Sequence, residues 1–177
     1  ISEIQNRLVS KHQVLLYLNR RGYAPLAICS DCGVKQSCQQ CDSLLVTHKL
    51  KNQLCCHQCG VGRPFKNACQ SCGQVETLQL VGPGVERLAE EVYSLFPGAK
   101  VKILSSDILN NPNKIATTIQ SIEAGKVDII IGTQMVAKGH HFPKLTCVAV
   151  IDGDLGLSGG DLRAGERTFQ MLSQVAG

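Results

Sequence analysis

The chain has 177 residues, 44% apolar and 4% aromatic with no Trp, which suits one domain or two small ones with a modest core and few platforms for stacking bases. No run of about 18 apolar residues occurs, so no membrane-spanning helix is expected. The start, Ile1-Ser2-Glu3-Ile4, lacks both a signal peptide and an initiating Met, so a fragment or processed piece is expected. The formal charge of +4 is too small to argue for a nucleic-acid partner by itself.

In chain order, Ile4 and Leu8 among polar neighbours predict a short amphipathic helix over residues 1–10. Val14-Leu15-Leu16-Tyr17-Leu18 is a continuous apolar run that reads as a strand buried on both faces, as in a parallel sheet. Asn19-Arg20-Arg21-Gly22-Tyr23 follows at its carboxyl end, the edge where open α/β sheets meet ligands.

Eight of the ten cysteines then fall into four Cys-x-x-Cys pairs: Cys29/Cys32, Cys38/Cys41, Cys56/Cys59 and Cys69/Cys72. Two cysteines at this spacing place both sulfurs on one side of a tight turn, so four pairs supply two four-thiolate zinc sites. Gly33, Gly60 and Gly73 follow three of the pairs and Asp42 follows the fourth. A knuckle needs positive φ at that position, which Gly supplies and Asp tolerates. Disulfides are the competing reading, set aside because the rest of the chain reads as an intracellular α/β domain. Cys55 is taken as a bystander and Cys147 as a small buried hydrophobe.

Four pairs can share two ions in three ways. A sequential arrangement joins 29/32 to 38/41 across five residues, and a crossed one joins 29/32 to 56/59. The nested one joins Cys38, Cys41, Cys56 and Cys59 across 14 residues, close to zinc-ribbon spacing, and Cys29, Cys32, Cys69 and Cys72 around them. We favour the nested arrangement, because it also returns the chain to the place where it left the sheet. Sites of four cysteines have no open position for water, so a structural role is expected. His48 and His57 are possible substitute ligands; His57 is expected to point outward and His48 to decorate the hairpin.

The segment Leu44 to Leu54 predicts a β-hairpin turning near Lys51-Asn52. Leu78-Gln79-Leu80-Val81 leads back out as a strand, and Val85 to Phe96 repeats with helical period up to Pro97-Gly98. Strands are expected over 100–104, 127–131 and 145–151, and helices from Pro112 to Gly125 and from about Asp161 to Val175. Strands alternating with helices imply a parallel sheet with right-handed crossovers. The cysteine module is therefore an insertion at a strand end. Residues 1–80 carry nine Lys/Arg against four Asp/Glu, an excess that two filled thiolate sites, at about −2 each, would largely cancel.

Asn19-Arg20-Arg21-Gly22-Tyr23-Ala24-Pro25, the four cysteine pairs, and Ile131-Gly132-Thr133-Gln134-Met135-Val136-Ala137-Lys138-Gly139-His140-His141-Phe142-Pro143 occur in that order. This series resembles the PriA (primosomal protein N′) family of bacterial replication-restart DNA helicases, of superfamily 2, and the resemblance covers essentially the whole chain. It implies an α/β fold: the RecA-like second lobe of the helicase, a parallel sheet with helices on both faces, carrying a two-zinc insertion. The lobe would start at residues 1–25, the zinc module occupy 26–77, and the rest of the lobe follow over 78–177, ending within motif VI.

The implied activity is ATP-dependent 3′→5′ unwinding at forked or D-loop DNA, leading to primosome assembly. Implied partners are primosome proteins, single-stranded DNA-binding protein and the N-terminal helicase lobe, in the bacterial cytoplasm at the nucleoid. Thr133, Gln134, Lys138 and Gly139 fall in what resembles motif V, a loop able to offer amides, a hydroxyl and an ammonium to phosphates. A polar loop capping a helix is the plainer alternative. Arg20 and Arg21 fall where motif IV would, and either bind phosphate or form ion pairs. Gln174 opens what resembles motif VI, which with Gly139 would face nucleotide. Lys49 and Lys51 are the candidate DNA contacts of the zinc hairpin.

Two structural Zn2+ are implied here, with ATP and Mg2+ only in the full-length parent. The chain has no Gly-x-x-x-x-Gly-Lys-Ser/Thr loop and no Asp-Glu box, so no catalytic residue is assigned and no ATP hydrolysis is expected from it alone. The competing readings are a motor lobe that depends on Thr133 and Lys138, and a zinc module that binds DNA or protein through the hairpin with Lys49, Lys51, Arg63 and Lys66. An unrelated zinc-ribbon factor is disfavoured by the α/β motifs after residue 80.

Overall fold

The computed structural model describes residues 1–18, 22–106, 108–109, 111–133, 141–153 and 163–176. In chain order the elements are α1 (Ser2–Val9), β1 (Gln13–Tyr17), β2 (Leu26–Cys29), β3 (Val46–His48), β4 (Gln53–Cys55), β5 (Gly62–Pro64), β6 (Leu78–Val81), α2 (Val85–Leu95), β7 (Val101–Leu104), α3 (Pro112–Glu123), β8 (Ile129–Gly132), β9 (Leu145–Val150) and α4 (Ala164–Ala176). The chain divides into two compact units, Ile1–Asn19 with Ala89–Gly177, and Arg20–Leu88.

The first unit is built on a four-stranded sheet of order β7-β8-β1-β9. All its pairings are parallel: Leu15 of β1 stands opposite Ile130 of β8 and Val148 of β9. Every residue of β1 and of β8 is buried, as unbroken apolar runs in the middle of a parallel sheet must be. Strand β9 alternates half-buried and exposed positions, the pattern of an edge. Leu15, Tyr17, Leu104, Ile122, Val127, Ile130 and Phe142 form one core cluster, with Ile119, Met171 and Val175 packed against it.

Helix α3 starts where its sequence requires. The Asn111 side chain accepts a hydrogen bond from Asn113 N at 2.9 Å, and Pro112 occupies the first turn, where no N–H is needed. The helix gives way to Gly125 at φ 69°. Gln13, buried at the head of β1, then clasps this connection: its Nε2 donates to the carbonyl oxygens of Ile122 at 2.9 Å and Val127 at 2.7 Å. Among the described residues, no helix is long and apolar enough to cross a membrane.

The second unit has little regular structure. Strands β2 and β6 pair antiparallel, Cys29 opposite Leu78, so the two ends of the cysteine-rich segment run side by side. Leu78–Val81 thus belongs to this two-stranded ladder and not to the parallel sheet. Strands β3, β4 and β5 form an antiparallel meander, so the hairpin expected over 44–54 acquires a third strand. Its first turn passes through Asn52 at φ 49°. Gly84 is required by close approach: a Cβ there would run into the Gly22 carbonyl.

Candidate metal centres

The four Cys-x-x-Cys turns share one local geometry. In each, the N–H of the residue after the second cysteine donates to the carbonyl of the first: Gly33 to Cys29 at 3.0 Å, Asp42 to Cys38 at 3.1 Å, Gly60 to Cys56 at 3.0 Å and Gly73 to Cys69 at 3.1 Å. The first cysteine N–H then donates to the residue beyond: Cys29 to Val34, Cys38 to Ser43, Cys56 to Val61 and Cys69 to Gln74. Closing such a loop needs positive φ, and these positions have φ 70°, 57°, 80° and 74° in chain order. The turn leaves both side chains of a pair on one side.

The turns assemble into two tetrads, an outer one of Cys29, Cys32, Cys69 and Cys72 and an inner one of Cys38, Cys41, Cys56 and Cys59, each with all sulfurs within 4.8 Å of one another. This is the nested arrangement. The facing sulfurs are 3.7 Å apart for Cys29/Cys72 and 3.6 Å for Cys32/Cys69. In the inner tetrad they are 3.5 Å for Cys38/Cys59 and 3.4 Å for Cys41/Cys56. A disulfide would need about 2.05 Å. A tetrahedral ion with metal–sulfur bonds of about 2.3 Å sets its sulfurs about 3.8 Å apart. The tetrads therefore hold the geometry of four-thiolate metal centres, and two metal ions are what they can accept. Cys55 and Cys147 lie outside both.

The electrostatics agree. Although the Val34 N–H favours the Cys32 thiolate, burial and the neighbouring sulfurs push that thiol up to about 12. Cys59 is likewise driven to about 12 against the Val61 N–H, first by the Cys38 sulfur. Backbone N–H groups, those of Ser43 and Cys72 foremost, pull Cys41 and Cys69 down to about 6. Four sulfurs this close cannot all ionise unaided, and a divalent cation is the group that lets them.

Each tetrad is tied into a small core. Cys38 and Cys56 pack with Leu45 and Leu54, and Cys29 and Cys69 pack with Leu78, while Phe65 touches both groups. His48 is not the surface decoration expected. It is buried, its Nε2 lies 3.0 Å from His57 Nε2, and its Nδ1 lies 3.3 Å from Glu86 Oε1. Burial alone would raise the Glu86 carboxyl, but the facing His48 ring and the Leu50 N–H, which donates at 3.0 Å, hold it below the usual range. Neither histidine joins a tetrad.

Of the other sites expected from the sequence, Thr133 is buried at the carboxyl end of β8, its N–H donating to the Leu104 carbonyl at 3.3 Å. Lys49 and Lys51 are exposed around the β3–β4 turn, and Lys49 Nζ sits 4.7 Å from the centre of the Tyr23 ring. Gln174 is exposed on α4. Arg20, Arg21, Gln134, Lys138 and Gly139 lie outside the described residues. Buried polar residues that support the tetrads, Gln36 above all, were missed by the sequence reading. The only signal for Gln36 was a polar residue between two knuckles.

No family model matches the chain. Curated relatives named replication restart protein PriA do match, over 100% of the chain: at 50% identity in Rickettsia felis, 40% in Haemophilus influenzae and 34% in Bacillus subtilis. The chain spans 27%, 24% and 22% of those relatives' lengths, about a quarter of each.

Proposed function

We propose, on the premise that this chain is homologous over its whole length to a segment of replication restart protein PriA, that it is the second RecA-like lobe of a DNA helicase carrying a two-zinc module. The observation that carries this reading is the coincidence of two complete cysteine tetrads with an end-to-end match to those relatives. Zinc is the metal proposed, since all-thiolate, four-coordinate sites suit it and serve structure by leaving no position for water.

The activity proposed for the whole protein is ATP-dependent 3′→5′ unwinding at forked or D-loop DNA, ending in primosome assembly. ATP and Mg2+ would bind the whole protein, because this chain contains no phosphate-binding Gly-x-x-x-x-Gly-Lys-Ser/Thr loop. The chain's own share is DNA contact. Thr133 follows β8 at the carboxyl edge of the parallel sheet, the edge where such sheets take ligands, and Gln134 and Lys138 come next in the sequence. Arg20 and Arg21 come shortly after β1 in the sequence and are assigned to the same role. Gly139 and Gln174 are assigned to the nucleotide side. The proposed partners are primosome proteins, single-stranded DNA-binding protein and the N-terminal helicase lobe, and the proposed location is the bacterial nucleoid.

A second reading is a zinc-dependent DNA- or protein-binding module without catalysis. Exposed Lys49 and Lys51 at the tip of the β3–β4 turn favour it. Fluorescence anisotropy of the metal-loaded chain on forked, single-stranded and duplex DNA across a salt series separates the two. Fork-preferring binding whose salt slope drops in Lys49→Ala/Lys51→Ala places DNA contact in the hairpin. Binding lost in Thr133→Ala but kept in the double lysine variant places it on the α/β lobe. No binding to any DNA overturns the assignment of DNA contacts to this chain.

A further inference from the structure

Gln36 lies between the first and second knuckles with no exposed surface. Its backbone is fixed on both sides, donating to the Ala27 carbonyl at 2.8 Å and accepting from Leu45 N at 3.0 Å. The side chain reaches toward the outer tetrad. Its amide nitrogen lies 3.5 Å from Cys69 Sγ and 3.4 Å from the Val34 carbonyl, and its amide oxygen accepts from Gln70 N at 3.1 Å. A buried amide is tolerated only when both ends are bonded. Here one end holds a candidate metal ligand and the other holds the residue after it, so Cys69 is gripped at two points.

Gln70 extends the network. With its amide oxygen toward Arg63, 2.9 Å from a terminal guanidinium nitrogen, its amide nitrogen donates to the Ser37 carbonyl at 3.1 Å. Arg63 and Gln70 line a cavity of about 100 Å³ beside Cys38.

The inner tetrad has no equivalent among the described residues. Cys38 Sγ receives the backbone N–H of Gln40 at 3.4 Å. Cys41 is served by the Ser43 backbone and hydroxyl, and that hydroxyl is half-buried and also 3.4 Å from Gln58 Oε1. Among the described residues, no fully buried side chain donates to an inner sulfur.

We propose that Gln36 is a positioning residue of the outer metal centre: its N–H holds Cys69 Sγ in the coordinating direction and takes up part of the negative charge of the filled site. The effect is selective, because the same side chain makes no contact with an inner sulfur. The proposal rests on the reading that the tetrads hold metal. Hydrogen-bonded groups behind metal ligands commonly change metal affinity by about 10- to 100-fold.

The test uses zinc release to an excess of chelator from the loaded chain, read with a chromophoric zinc indicator. Cys72→Ser leaves the inner centre intact and Cys41→Ser leaves the outer one, so each rate is measured separately. Gln36→Glu keeps the shape while removing the N–H donor, and Gln36→Leu removes the polarity. Both should speed outer release by about 10-fold or more and leave inner release unchanged. Cadmium-113 NMR of the cadmium-substituted chain should show one of its two signals move. Outer release within twofold of the unsubstituted chain in both variants overturns the proposal. Equal acceleration at both centres also overturns it, since Gln36 would then serve only the fold. A chain that binds no metal before any substitution removes the reading of the tetrads, and the proposal with it.

Discussion

His48 and His57 meet nitrogen to nitrogen, Nε2 to Nε2 at 3.0 Å, with ring centroids 5.1 Å apart. The separation of the centroids is close to that of two rings whose nitrogens point straight at each other, the geometry of a hydrogen bond with one proton between them. The other His48 nitrogen faces Glu86 on the first turn of α2, so a carboxylate and two imidazoles form one line ending inside the Cys56–Cys59 knuckle.

Glu86→Gln should therefore cost about 1–3 kcal/mol near neutral pH, the range for a hydrogen bond to a buried charge. Because the folded-state carboxyl is held below its ordinary value of 4.5, its contribution is complete above that pH and is lost as pH falls through the lowered value. The stability gap between the two proteins should narrow only on the acid side. Urea unfolding from neutral to acid pH measures it, and a gap that widens toward acid would contradict the pairing.

Metal removal should act on the Arg20–Leu88 unit first. Among the described residues its small cores gather four buried cysteines and three leucines, with Cys41 and Phe65 packed against them, too little to hold a fold without the centres. Hydrogen exchange after chelation should show lost protection at Leu54 and Thr47, while Leu15, Leu16 and Ile130 keep theirs. Equal protection throughout would mean the centres are ornamental.

The knuckle backbones give a pair of opposite signs. Gly60→Ala places a methyl where nothing lies within 4 Å, yet at φ 80°. It should cost about 1 kcal/mol from backbone conformation alone. Asp42, at φ 57°, already bears such strain, so Asp42→Gly should be neutral or stabilising by up to about 1 kcal/mol. Thermal melts of the metal-loaded chain compare them.

Gln13 tests the parallel-sheet unit. Gln13→Ala strands the Ile122 and Val127 carbonyls in a buried place, at a cost of about 2–4 kcal/mol. Chemical unfolding should show the loss without any change in metal content.

What the sequence made legible was whatever has a fixed local grammar. The Cys-x-x-Cys turns with their following Gly or Asp, the apolar run of β1, and Asn111-Pro112 opening α3 each determine their own backbone, so each could be read without a partner. Strand β5 could not be: Gly62-Arg63-Pro64 has neither alternation nor β-branched residues, and it is a strand only because β4 offers it a free edge. The partner of Leu78–Val81 was equally invisible, since an alternating strand does not say which ladder it joins. His48 and Gln36 show the same limit in the metal unit. A polar side chain carries no mark that it will be buried, and both are buried because Glu86 and Cys69, distant in sequence, supply what they need.

The side-by-side ends of β2 and β6 have a consequence for how the chain finds its fold. Between Tyr17 and Val101 the polypeptide makes a long excursion before the parallel sheet resumes. Left open, that excursion would be a long loop to close before β1 could gain its neighbours. Once Cys29 and Cys72 share an ion and β2 lies against β6, the loop is already closed, and the sheet sees only the short stretches on either side. Ion capture in the outer tetrad thus shortens the effective distance between β1 and β7, so the supply of metal should set the rate of sheet assembly as well as the stability of the module.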